Sequence, residues 1–360
     1  MCETCSSGDD MLLLNEAGTF VDSVLEDCLA LPVSKAIDLG TRKGFDRAAA
    51  LLSARLRQAT GPADAKAVRD AIAVLDVDWR ATTAEQRRLL IAQSMAAAMK
   101  ATKELPNAIG IQFSRSAQSV VAATRADTRR RQGLAVSADF NALDHRIVGH
   151  VVRSQGNFVR DEYGRRIEDF GAQARGIVAD GLSQGLGRDA ISESLQQAAS
   201  RVFINRAPAY WDVVASAFIG QGRSFAQMSS YAEAGITTYV VEAILDEVTT
   251  PICRFLHGKT FSVKDALARF EQVEQLENPE DIKRVLPWVR QGVDTESGWS
   301  VLYVNGTDGR VPVAEVSSSG VGCRDDRGEF RAMSSDSVLA GAGIGFPPYH
   351  GLCRTTTLAT

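Results

Sequence analysis

Histidine and cysteine are scarce in this 360-residue sequence, with four of the first and six of the second. Six cysteines in a chain of this length do not make a disulfide framework, and an intracellular setting would keep them reduced. Proline is nearly missing from the first 250 residues, where it occurs only at Pro32, Pro62, Pro106 and Pro208. Alanine is abundant in the same span, so long helices are the expected outcome. No apolar run approaches the ~18 residues that a membrane-crossing helix needs. The short apolar run at residues 11–14 has flanks too acidic for a signal peptide, which points to a cytoplasmic origin. A strong charge imbalance is also missing. A net charge of -4 and a pI of about 5.7 argue against a dedicated duplex-DNA binder, which would carry a broad basic face.

What is present fits an ordinary globular chain. Hydrophobic residues at 45% and charged residues at 23% exclude wholesale disorder, and the length suits two domains rather than one core. The charge is unevenly spread. Residues 1–40 hold eight acids against Lys35 alone, whereas Arg129, Arg130 and Arg131 lie in a basic middle region with Arg125, Arg146, Arg153, Arg165 and Arg166. Cys2 and Cys5 form a C-x2-C pair at the extreme terminus with no second pair following, so they read as a frayed chain end. Cys28, in the apolar run 24–31, reads as a small core residue.

Along the chain, Phe45, Ala48, Leu52 and Leu56 recur at helical spacing, and Gly61-Pro62 should break that helix before a second over residues 63–75. Thr82 and Glu85 have capping-box spacing ahead of a helix that ends before Pro106. Helices are expected over residues 109–124, 143–154 and 157–180, the last with a stripe of Tyr163, Ile167, Phe170, Ala174 and Ile177. His145 and His150 are five apart and do not share a helix face, so they read as packing or surface residues. The glycines at 181, 185 and 187 follow a helix instead of a buried strand and do not form a phosphate loop. Residues 189–199 and 210–234 are helical, with Gly235 as the terminating residue.

The residue statistics change at that glycine. Residues 237–245 are β-branched and aromatic, the pattern of a central strand buried on both faces. Helices should start at Ser262 and at Asn278-Pro279. A β-hairpin is expected from residues 300–304 and 310–316, with Pro312 placing its strand at an edge. Residues 317–346 read as a long loop. The fold class is therefore α+β and mainly α: an acidic segment over 1–40, a helical body over 41–235, and a small α+β domain over 236–360.

Half of the histidines and two of the cysteines fall in two short stretches of that last domain. Cys253 and His257 make a C-x3-H unit, and His350 and Cys353 an H-x2-C unit, with 92 residues between the histidines. Thiolate and imidazole suit zinc, and the four together would make a Cys2His2 site clasping the chain end to the strand at 237–245. Asp246 could support a histidine or act as a base. A packed, metal-free arrangement is the competing expectation, with His257 satisfied by the backbone. Cys323 reads as an exposed loop thiol. Neither Cys-His pair has a setting that lowers a thiol pKa, and no compact carboxylate cluster appears, so an enzyme is not the leading expectation.

The two stretches resemble the phage Mu F-like head morphogenesis family, the minor head proteins of tailed phages. Its members carry an Asp, then Thr and Cys, then Gly-Lys-x-Phe, and close with Pro-Pro-x-His and Cys-Arg. Here these are Asp246, Thr250, Cys253, Gly258, Lys259, Phe261, Pro347, Pro348, His350, Cys353 and Arg354. The preceding Gly181 to Gly185 turn and the Tyr231, Ala234, Gly235, Ile236 series have the family's order as well. Many relatives close with Cys-Arg-Cys where this chain has Thr355, and the span between the half-motifs implies an insertion around residues 262–340. The resemblance implies a structural protein of the virion head or portal vertex, assembled in the bacterial cytoplasm. Its partners would be portal, capsid and scaffold proteins, with DNA packaging or delivery as the task and no membrane contact. Two other functions remain open at this point: a metal-dependent enzyme acting on nucleic acid or nucleotides, and an effector that reuses the module for binding.

Overall fold

The structure, a computed structural model, describes residues 38–205, 207–295, 297–306 and 309–360. Most of the acidic segment, with Cys2, Cys5, the 11–14 run and Cys28, lies outside the described residues. The remainder is mainly helical and ends in two small antiparallel sheets, the α+β arrangement expected.

Helix α1 (Arg42–Leu75) starts where the Thr41 hydroxyl accepts the Gly44 N–H. It continues through Pro62, contrary to the expected break. A proline inside a helix costs about 3 kcal/mol in isolation. Here Phe45, Leu52 and Leu56 are buried before it and Ala67, Ala71 and Leu75 after it. The Tyr163 hydroxyl also donates a 2.7 Å hydrogen bond to Asp64 just beyond the ring. Tertiary packing therefore outweighs the local preference. Helix α2 (Ala84–Thr102) is capped one residue later than expected, by a box of Thr83 and Gln86. Helix α3 (Leu105–Arg131) carries Pro106 in its first turn.

The two helices expected over 143–180 are one, α4 (Ala142–Ser183), opened by a capping box of Asn141 and Asp144. Helix α5 (Arg188–Ser200) follows, then a π-helical turn at Arg201–Asn205. Helix α6 (Ala207–Glu233) ends as expected: Gly235 takes a φ of +72° and the Ile236 N–H returns to the Tyr231 carbonyl. Every residue of α6 from 214 to 231 is buried, so it is a central helix and not the half-exposed one its composition suggests.

Two cores form. One packs Ala67, Ala71 and Leu75 of α1 with Ile91 of α2, Ile167, Phe170 and Ala174 of α4, Leu195 of α5 and Phe203. The other joins the first half of α1, α3, the first half of α4 and α6 to the C-terminal region, through Phe45, Phe113, Val151, Phe218, Tyr239, Phe270 and Tyr349. Apolar packing thus runs without interruption across residue 235.

Strand β1 (Thr238–Glu242) lies between β2 (Thr260–Ser262) and β7 (Thr356–Ala359), both antiparallel to it. It is central as expected, but only Tyr239 and Val241 are fully buried, so its faces differ. Between β1 and β2 sits α7 (Pro251–Leu256), and after β2 come α8 (Val263–Glu274) and α9 (Pro279–Val285). The inserted region folds into a second sheet in the order β3 (Arg290–Val293), β4 (Ser300–Gly306), β5 (Gly309–Ser318), β6 (Glu329–Ala332). Pro312 is therefore not at an edge. It faces Tyr303 at a register shift, where the ladder does not require its missing N–H. The expected long loop over 317–346 contains β6 and α10 (Asp336–Gly341), the latter capped by Ser335.

His145 is exposed and edge-on to Phe140, while His150 is buried between Phe225 and Phe270. Its Nε2 has no hydrogen-bond partner. Burial first, then nearby Arg153, lowers the His150 pKa to about 4, against a smaller opposing pull from Glu274. A histidine that titrates lower when folded stabilises the fold fully above its unfolded pKa of ~6.5 and loses that contribution as pH falls towards 4. Urea unfolding of wild type and His150→Leu at pH 7 and pH 5 should show wild type losing about 2 kcal/mol more than the variant. Equal losses would mean that His150 is not held neutral.

Candidate metal centre

Thr250 ends the loop after β1 and is the N-cap of α7, Pro251 opens the helix, and Cys253 lies in its first turn. His350 and Cys353 come from the segment between α10 and β7. Cys253 Sγ is 3.3 Å from His350 Nε2 and 3.7 Å from Cys353 Sγ, across 97 and 100 residues of chain. Among the described residues these three form a group whose ligand atoms all lie within 4.8 Å of one another. Tetrahedral zinc with bonds of ~2.3 Å to sulfur and ~2.0 Å to nitrogen sets ligand separations of about 3.5–3.8 Å. The donor set and its spacing therefore fit a metal ion.

His257 does not belong to the group, which corrects the expected Cys2His2 set. The i, i+4 relation to Cys253 requires helix through residue 257, but α7 stops at Leu256 and His257 has a ψ of 125°. Its Nδ1 accepts the Ala243 N–H at 3.1 Å, a backbone bond of the kind the metal-free expectation gave it. Lys259 is also apart, paired with Asp336 at 2.7 Å and lying over the Phe255 ring. Cys323 is exposed.

The two buried sulfurs are pushed apart in acidity. The Cys253 thiol is pushed up by its hydrogen bond with Cys353 and by burial. Burial also opposes ionisation of Cys353, but the Cys253 S–H and His350 outweigh it and hold Cys353 low. A bound cation would favour the thiolate form of both.

Beside the group stands a second constellation. Asp246 is buried and accepts from the Thr249 hydroxyl at 2.7 Å and from Arg354 at 2.9 Å, while Arg42 of α1 lies 2.9 Å away. Burial alone would raise its pKa. Thr249, Arg354 and Arg42 together hold the carboxyl below the usual carboxylate range. Asp246 is thus committed to arginine and is neither a histidine's support nor a free base. Arg254, whose importance the sequence did not signal, buries its guanidinium among the carbonyls of Thr249, Asp246, Cys323 and Asp326. Arg223 of α6 does the same with Leu39, Arg354 and Thr355.

Comparison of the chain with protein-family models, with curated proteins and with solved structures gives no match.

Asp246→Asn should destabilise the protein by about 2–3 kcal/mol. That is below the ~3–5 kcal/mol for a fully buried pair because Arg42 is half exposed. Chemical denaturation checks this, and a change under about 0.5 kcal/mol, the usual surface effect, would show that the cluster is not a structural tie.

Proposed function

We propose that the chain is a non-enzymatic minor head protein of a phage or prophage-derived particle. It would associate with portal, capsid or scaffold during head assembly and DNA packaging or delivery. The observation that carries this reading is the convergence of the two motif halves. Residues from both halves of the resembled motif meet in two adjacent groups, Cys253 with His350 and Cys353, and Asp246 with Arg354 over 108 residues. The same convergence pairs β7 with β1, so the motif's job in this reading is to fasten the chain end and present a fixed surface.

Zinc is the ion this reading assigns to the centre, because two thiolates and an imidazole favour a borderline ion without redox demands. Elemental analysis of the full chain should find about one zinc per protein, retained in His257→Ala and lost in His350→Ala. Retention in both variants, or its absence from wild type, would remove zinc from the proposal. The particle itself is tested by mass spectrometry of purified heads, empty and DNA-filled, from a producing strain. A few copies per head are expected, and absence from every assembly stage would refute the assignment.

One observation favours a second reading. Among the described residues the centre has three protein donors in place of four, the number found in catalytic zinc sites, so a metal-dependent enzyme acting on nucleic acid or nucleotides is the alternative. A nuclease or nucleotide-hydrolysing activity that disappears in His350→Ala would favour it over the structural role.

A further inference from the structure

We infer that the ion at this centre has an exchangeable fourth position, facing the hydroxyls of Thr250 and Thr355, that takes water or another small one-atom donor. This rests on the zinc reading and adds to it an open coordination site.

Thr250 supplies the first argument. A threonine at an N-cap normally accepts an N–H from the helix's first turn. At α7 no such side-chain bond forms. The hydroxyl lies instead 3.0 Å from His350 Nε2, the nitrogen that is 3.3 Å from Cys253 Sγ. The cap bond has been given up for a place beside the metal-binding atoms. Thr355, only 2% exposed, sets a second hydroxyl next to Cys253.

Among the described residues no fourth protein ligand of the usual kinds joins the group. His257 is turned to the Ala243 amide, and Asp246 is held by Arg354 and Arg42. Threonine hydroxyls are weak ligands for such an ion. They are good partners for a water bound to it, since each donates one hydrogen bond and accepts others.

Charge points the same way. Two thiolates and a neutral imidazole balance a divalent cation, so a water completes the site without leaving net charge in a buried place. Access is one-sided. Cys253, Cys353 and Thr355 are buried, while Thr250 and His350 are partly exposed, which puts the entry on the Thr250 side.

Cobalt(II) substitution of the full chain tests this, because its visible bands report coordination number and its charge-transfer band reports thiolate count. Sodium azide should shift the wild-type bands saturably. Thr250→Cys should raise the charge-transfer intensity by about half, as two thiolates become three, tighten cobalt binding about tenfold or more, and abolish the azide response. Thr355→Cys provides the same readout from the buried side. A four-coordinate wild-type spectrum indifferent to azide, with no added thiolate band in either variant, would overturn the open position while leaving the metal site intact. The absence of any cobalt spectrum in wild type would instead overturn the zinc reading, and this inference with it.

Discussion

A helix buried on every side must find partners for its own polar side chains, and α6 meets that demand with the two ends of the described chain. Arg223 is fully enclosed, and burial depresses its pKa to about 10. It lies over the Phe45 ring and donates to the carbonyls of Leu39, Arg354 and Thr355. One turn on, Gln227 donates to Thr356 Oγ1 and the Thr357 carbonyl, and Tyr231 donates to that same carbonyl. Removing any of these would strand buried acceptors, which costs more than the net worth of one hydrogen bond. Close approach helps. A side chain at Gly222 would press on Val120, and one at Gly220 would touch Pro348.

The candidate metal centre inherits its geometry from this arrangement. Cys353 lies just before the carbonyls that Arg223 holds, β7 is zipped onto β1, and Arg354 is anchored to Asp246. Loop closure between Cys253 and Cys353 is therefore already achieved by hydrogen bonds and an ion pair before any ion enters. An ion binding there stabilises the fold by mass action, in proportion to the logarithm of its free concentration over its dissociation constant.

The parts legible in the sequence were those governed by local chemistry. Helix type and order, the Gly235 terminus, the hairpin and the meeting of residues near 253 with those near 350 all follow from periodicity, turn residues and rare side chains. Errors arose where tertiary packing overrode local preference. Pro62 stays helical because both flanks are buried, and β5 accepts Pro312 because a register shift falls opposite it. His257 stays apart because C-x3-H spacing implies a continuous turn, whereas α7 ends one residue too soon. Thr250 is marked in the sequence only by its place in the resembled motif, and Arg254 carries no signal of its own, because an arginine on a short helix reads as solvent-facing.

The same two helices that defeated the expected breaks also determine how the molecule can move. α1 and α4 each contribute to both cores, with Phe45 and Val151 in one and Ala71 and Phe170 in the other. Bending between the cores would disturb the backbone hydrogen bonds of two helices at once, together with the buried Asp64–Tyr163 bond that links them. Separate helices at 62–63 and 155–156 would have allowed a hinge there. Continuous ones couple the position of α5 to that of the Cys253, His350 and Cys353 group, because Arg42 at the start of α1 is ion-paired to Asp246. The Arg42–Asp246 ion pair at one end and the Asp64–Tyr163 bond near the middle thus tie α1 both to the C-terminal region and to α4.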